Sequence, residues 1–278
     1  MFRFGTQVLA VELVALVRAA AEAAIISHGL GLTAYGYLTV AQRLVQAVQE
    51  LTGSALAPVT TVAFAKWRAD SERLTRSYVR ALGVIYAMMT PTLLLLAVAA
   101  PLIVPIVFGP GWEQSFFPTQ ILALAGIAVM GASLDLGLFY GVGKPGVWLI
   151  YAVIVDAATV GTTLVMVPHG LPAVVLGFLG VAVGATMVRQ FLVARLLGVR
   201  VRETLRPIPM LLTSVIVVGA AGLGTMALLE PFTPLLCIVF VGIVMIGMQV
   251  LVLRVTARSV LNDIRSQVTR LLRRHAKA

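Results

Sequence analysis

The chain has 278 residues, is 60% hydrophobic and only 12% charged, and has a mean hydropathy of +1.01. A soluble fold of that composition could not cover its own surface, so the bilayer must serve as solvent for much of it. The formal charge of +10 then reads as the accumulation of Lys and Arg in cytoplasmic loops rather than as a nucleic-acid surface.

The first apolar segment carries Glu12, Arg18 and Glu22 and lacks a small-residue cleavage site, so it is expected to stay in the protein rather than serve as a signal peptide. A span needs about 20 mostly apolar residues. On that rule about eight spans are expected, near residues 6–26, 37–64, 80–100, 118–141, 146–167, 173–194, 208–229 and 235–254. The fold class is therefore all-α, a polytopic transmembrane bundle. Gly and Pro in "SHGLGLTAYG", "FGPGW", "GVGKPG", "VPHGLP" and "LEPFTP" mark turns between spans.

Three of the gaps are basic. Lys66, Arg68, Arg73, Arg76 and Arg80 follow the second span, Lys144 follows the fourth, and Arg195, Arg200, Arg202 and Arg206 follow the sixth. The tail adds Arg254, Arg258, Arg265, Arg270, Arg273, Arg274 and Lys277, whereas the loops near Gly29, Pro110, His169 and Pro231 hold no Lys or Arg. This alternation places both termini on the cytoplasmic side of an inner (plasma) membrane. Three regions are expected: a six-helix lobe over 1–200, a further helix pair over 201–254 and a basic amphipathic tail over 255–278. In the tail, Val260, Ile264, Val268, Leu271 and Leu272 recur at helical spacing, which suits either an anionic lipid surface or a solvated topogenic tail. Basic residues without an aromatic platform argue against nucleic acid as a partner.

Ionisable residues inside spans are the expensive features, at about 2.5–3.5 kcal/mol each on insertion scales. Glu12, Arg18, Glu22, Arg43, Glu50, Asp135 and Asp156 form that set. Arg18 and Glu22 share a helix face, Gln42, Arg43, Gln46, Gln49 and Glu50 lie along one broad side, and Asp156, Thr159 and Thr163 stack. Asp135, with Ser133 and Tyr140, gives the fourth span a polar side. The functional reading is a wet cavity between these sides; the structural one is internal pairing, Arg18 with Glu22 and Arg43 with Glu50 or a neighbouring helix.

Motifs for other chemistry are missing. His28, His169 and His275 have no HExxH or Cys/His spacing, Cys237 stands alone in an apolar run, and no GxxxxGK[ST] loop or DxD pair occurs. The sequence thus reads as a non-enzyme with no metal and no cofactor.

Several landmarks follow one another in a familiar order. "GLGLTAYGYLTVAQRLVQ" holds a Gly-x-Tyr helix start and Ala41, Arg43 and Leu44; "LAPVTTVAFAKWRADSERLTRSYVRAL" holds Pro58, Glu72, Arg73, Leu74 and Tyr78. Phe108, Gly109, Gly111 and Trp112 then form a Phe-Gly-x-x-Trp loop before "ILALAG", and Gly143 to Pro145 form a Gly-Lys-Pro turn. In order and spacing, residues 1–200 resemble the oligosaccharide flippase family of polysaccharide biosynthesis proteins, within the multidrug/oligosaccharidyl-lipid/polysaccharide exporter superfamily. The resemblance implies the C-terminal lobe of a two-lobed flippase plus two extra helices, completed by a second lobe from a separate chain or a homodimer. It also implies an undecaprenyl-diphosphate-linked oligosaccharide as substrate, with membrane lipid around the carrier tail and alternating access as mechanism. Arg18 and Arg43 would attract the diphosphate, with Gln46 beside them in the cavity; Glu22, Glu50, Asp135 and Asp156 would hold the arginines or a coupling cation. A cation-coupled small-molecule antiporter of the same superfamily and a non-transporting truncated membrane protein stand as alternatives.

Overall fold

The computed structural model describes residues 2–66, 70–229 and 233–262. Among them every regular element is helical. The long helices are α1 (Phe2–Leu30), α2 (Leu32–Lys66), α3 (Ser71–Phe108), α4 (Phe116–Val129), α5 (Ala132–Gly141), α6 (Pro145–Met166) and α7 (Leu171–Leu197). A four-residue turn of helix, α8 (Val201–Thr204), then leads to α9 (Ile208–Leu228) and α10 (Pro234–Thr256). Taking α4 and α5 as one broken span, these correspond to the eight expected ones. Six of them, from α3 onward, are long and apolar enough to cross a membrane by length and composition. The chain is a multi-pass membrane protein.

Two of the helices run past the apolar windows that predict them. α3 continues through Pro91, Pro101 and Pro105 to Phe108, well past the expected boundary near residue 100. A proline removes one helical hydrogen bond, and in a bundle the packed surroundings absorb that loss. The turn expected across "SHGLGLTAYG" contracts to a single residue: Gly31 adopts φ 89, its amide donates to the Ser27 carbonyl at 3.1 Å, and the Tyr35 amide donates to its carbonyl at 3.2 Å. Only glycine takes that backbone conformation without strain.

α3 is the central rod. It packs on α4, α9 and α10, while α2 lies against α4 and α5, and α1 against α6 and α2. A continuous apolar core runs through Tyr78, Leu82, Tyr86, Leu93, Ala123, Leu134, Leu138, Val193, Val218, Val241 and Met245. A smaller cluster at the charge-poor end joins Ile26, Leu38, Val174, Val175 and Phe178. Side chains bridge helices where hydrocarbon offers backbone groups no partner: Gln249 Nε2 donates to the Ala87 carbonyl at 3.1 Å and the Tyr151 hydroxyl to the Ala185 carbonyl at 3.1 Å. Outward-facing Ile150, Ile154, Leu212, Ile216, Ile243 and Val255 form the lipid-facing coat.

Close packing is tightest where α1 ends. A Cβ built on Gly29 would lie 2.3 Å from Val167 Cγ1. Gly29→Val is therefore expected to destabilise the protein by about 1–3 kcal/mol, through overpacking against the turn after α6. Thermal unfolding in detergent measures this, and a midpoint equal to wild type would show that Val167 moves aside freely.

The "LEPFTP" turn at Glu230 to Phe232, Arg68, and the tail residues 263–278 with Ile264, Arg265, Val268, Arg270, Leu271, Leu272, Arg273, Arg274, His275 and Lys277 lie outside the described residues. Val260 and Leu261, which open the tail, pack against the main core.

Candidate functional site

The α1–α2 hairpin carries most of the expected polar set, and its turn determines their register. Arg18 lies 13 residues before Gly31 and Arg43 lies 12 after it. At 1.5 Å per residue both sit about 18–20 Å along their helices from the turn, at a common level. By the same count Glu12 and Glu50 share a deeper level, toward the basic end of the bundle.

Arg18 is the node of an interhelical cluster. Its Nη1 donates to Glu22 Oε1 at 2.7 Å, one turn along α1, and its Nε lies 3.1 Å from Asp156 Oδ1 on α6. Glu22 is buried, whereas the Arg18 side chain keeps 31% of its surface exposed. One guanidinium thus answers two carboxylates, leaving the trio one negative charge in excess. Thr159 and Thr163, expected to extend this polar stack, turn their hydroxyls back onto the carbonyls of Val155 and Thr159 at 2.8 Å. Their hydroxyl protons are used within α6, leaving only acceptor oxygens to face the cluster.

Arg43, Gln46 and Glu50 occupy one exposed face of α2, at i, i+3 and i+7. Gln46 Nε2 donates to Glu50 Oε1 at 2.8 Å. Arg43 makes no ion pair among the described residues, so the expected Arg43–Glu50 pairing gives way to Gln46–Glu50. Glu12 is likewise exposed, on α1. An exposed stripe of this polarity suits water or protein against it rather than lipid.

Asp135 stands apart from both groups. It is wholly buried in the first turn of α5, with its Oδ2 2.7 Å from Arg189 Nε on α7; the two side chains are 0% and 1% exposed. The span containing it is broken at Met130 and Gly131, between α4 and α5. α7 supplies the missing donors: Thr186 Oγ1 donates to the Ala128 carbonyl at 2.8 Å and Arg189 Nη1 to the Val129 carbonyl at 3.3 Å. The cation therefore meets the negative end of α4, while the Asp135 carboxylate sits at the positive end of α5. Gly131 permits the approach, since a Cβ there would lie 2.8 Å from Leu82 Cδ1 and 3.5 Å from Arg189 Nη2. Gln190 Nε2 donates to the Tyr78 hydroxyl at 3.3 Å beside this pair. The Tyr78 hydroxyl, its oxygen accepting from Gln190, is also within reach of the Asp135 carboxylate, whereas the Tyr86 hydroxyl and Arg189 Nη2 have no aligned hydrogen-bond partner among the described residues.

Arg189 was accessible to sequence reasoning and is missing from the expected set. It falls within the span expected at 173–194, but it heads the run of arginines that closes that span and is easily counted with the loop. The Met130–Gly131 break has a weaker sequence signal, one glycine followed by Ala132 and Ser133 in an otherwise continuous apolar run.

The charge-poor end carries the Phe-Gly-x-x-Trp loop. Gly109 and Gly111 take φ 84 and 93, and the Gly111 amide donates to Glu113 Oε1 at 3.0 Å. This seats Trp112 edge-on against Tyr37 of α2, with ring centroids 5.8 Å apart, and against Phe108 at 6.2 Å. An aromatic cluster at a helix end suits a membrane–water boundary. No cluster of His, Cys, Asp or Glu suited to a metal ion occurs among the described residues.

No curated protein and no solved structure matches the chain. A family model for polysaccharide biosynthesis proteins matches residues 1–116, which comprise α1 with Arg18 and Glu22, α2 with Arg43, Gln46 and Glu50, all of α3 and the Trp112 loop. Over that stretch the chain is similar to the polysaccharide biosynthesis protein family, as its landmarks imply.

Proposed function

We propose that the protein is a flippase-like transporter that carries a lipid-diphosphate-linked oligosaccharide across the inner membrane of a bacterium for polysaccharide assembly. The observation that supports this best is the exposed Arg43–Gln46–Glu50 stripe, at the depth of the Arg18 cluster and inside the segment similar to polysaccharide biosynthesis proteins. A guanidinium offers two parallel donors to phosphate oxygens, and the amide and hydroxyl-accepting groups beside it suit a sugar. The sugar-diphosphate head would cross along this face while its lipid tail stayed in hydrocarbon, as alternating access requires.

The α2 stripe needs a second surface to enclose a watery path, so the working unit includes another lobe, from a second copy or a separate chain. With the basic loops assigned to the cytoplasm, both termini face that side. The reading involves transport and no catalytic step.

The test is polysaccharide export in cells lacking their own flippase. Because Arg43 is exposed and forms no ion pair among the described residues, Arg43→Ala is expected to reach wild-type membrane levels while export falls about tenfold or more, the equivalent of one lost charge-assisted contact. Full export by that variant would remove Arg43 from the substrate path. Drug resistance conferred without any effect on polysaccharide would replace the reading with a small-molecule antiporter.

A further inference from the structure

The connection between α7 and α9, on the basic end of the bundle, is an ordered loop around a half-open recess. Gly198 ends α7 in the left-handed region at φ 71, and the Val199 amide returns to the Ala194 carbonyl at 3.1 Å. Ser71 Oγ at the start of α3 donates to the Leu197 carbonyl at 2.8 Å, fixing the loop's first anchor. Buried Thr204, whose hydroxyl donates to the Val201 carbonyl at 2.9 Å, and buried Pro207 fix the other. A charge that serves only to orient a span in the membrane needs no such scaffold.

The recess, of about 660 Å³, is lined by Arg200, Arg202 and Arg206 together with Leu205, Ile208 and Pro209. Glu203 also borders it, yet none of these four charged side chains forms an ion pair among the described residues. The neighbouring start of α3 is different: there Arg76 Nη2 pairs with Glu72 Oε1 at 2.5 Å and Arg73 Nε lies 3.9 Å from Asp70 Oδ2. The same end of the molecule thus neutralises one set of arginines locally and leaves the other with an excess of two positive charges around a hollow. The floor of that hollow continues as an apolar track: Pro209, Leu212 and Ile216, at i, i+3 and i+7, all face outward along α9 into the membrane region.

We infer that this recess is a binding site for an anionic phospholipid of the cytoplasmic leaflet, with the phosphate held by Arg200, Arg202 and Arg206 and one acyl chain laid along Pro209, Leu212 and Ile216. A guanidinium cluster matches phosphate oxygens in charge and geometry, and a basic pocket at the inner ends of transmembrane helices lies where anionic head groups are concentrated. A free anion would gain the arginines without using the apolar track, and a neutral lipid would gain the track without the arginines. The site is independent of the transport reading and of the residues on α1 and α2.

The test uses the full chain in detergent, with native mass spectrometry reading bound dioleoylphosphatidylglycerol against dioleoylphosphatidylcholine. Arg202→Gln with Arg206→Gln is expected to weaken phosphatidylglycerol binding about 30-fold, at about fivefold per arginine. Each single variant gives an intermediate loss, so the result does not depend on the double variant folding. Arg254→Gln with Arg258→Gln, which removes the same charge from the end of α10, leaves binding within about twofold on the same reasoning. Phosphatidylcholine is not retained, and inorganic phosphate does not displace phosphatidylglycerol. Equal losses in the two double variants would reduce the effect to general surface charge and overturn the site. Retention of phosphatidylcholine, or full displacement by inorganic phosphate, would overturn the lipid as its ligand.

Discussion

Replacing Arg189 with alanine is expected to destabilise the protein by about 3–5 kcal/mol, because it strands the wholly buried Asp135 carboxylate. Asp135→Ala should cost a similar amount by stranding the guanidinium, and it also leaves the Val129 carbonyl contact of Arg189 without its electrostatic anchor. The pair variant Asp135→Leu with Arg189→Met is the informative one. Buried ion pairs are costly to break and cheap to replace with apolar groups of similar volume, so the double variant is expected to regain most of the stability lost in either single one. Unfolding midpoints in detergent, combined as a double-mutant cycle, measure the coupling directly. A double variant as unstable as the singles would show that the α4–α5 break, rather than charge balance, depends on these side chains. Export measured on a restored double variant then separates a fold requirement from a transport requirement.

Arg18→Met is expected to cost about 1–3 kcal/mol and to abolish most export. The lower range than for Arg189 follows from exposure: the Arg18 side chain retains 31% of its surface, so solvent screens part of the interaction. What remains is the cost of leaving buried Glu22 and half-buried Asp156 facing each other across α1 and α6 with no cation between them. Arg18→Lys keeps the charge but not the fork, since an ammonium acts as a compact point charge rather than a planar pair of donors. Its stability should lie between wild type and Arg18→Met, and its export should lie nearer to Arg18→Met. A lysine variant that exports like wild type would mean that the trio needs a charge and no particular geometry.

The membrane bundle is legible in the sequence because hydrocarbon imposes a strong and simple constraint, a run of about 20 apolar residues per crossing. All eight expected spans have a helical counterpart, and the Arg18–Glu22 pair follows directly from i, i+4 spacing. Three features are poorly encoded. Asp156 joins Arg18 only through the α1–α6 crossing, and helix neighbours are not written in a hydropathy pattern. Asp135 looks like a further cavity acid until Arg189, 54 positions away, is placed against it; no local spacing connects them. The exposure of Arg43, Gln46 and Glu50 is also a tertiary outcome, because periodicity puts them on one face but does not say whether another helix covers it. Length misled at the helix ends, where α3 passes through Pro101 and Pro105 and the α1–α2 turn shrinks to Gly31. Packing tolerates the prolines inside α3, whereas Gly31 closes its turn with local hydrogen bonds to Ser27 and from Tyr35.

A connection of one residue between α1 and α2 leaves no slack. The two helices pack along each other and leave Gly31 without spare chain on either side, so a shift of α1 along its own axis cannot occur without drawing α2 with it. The turn thus ties the level of Arg18 on α1 to that of Arg43 on α2, 13 residues before Gly31 and 12 after it.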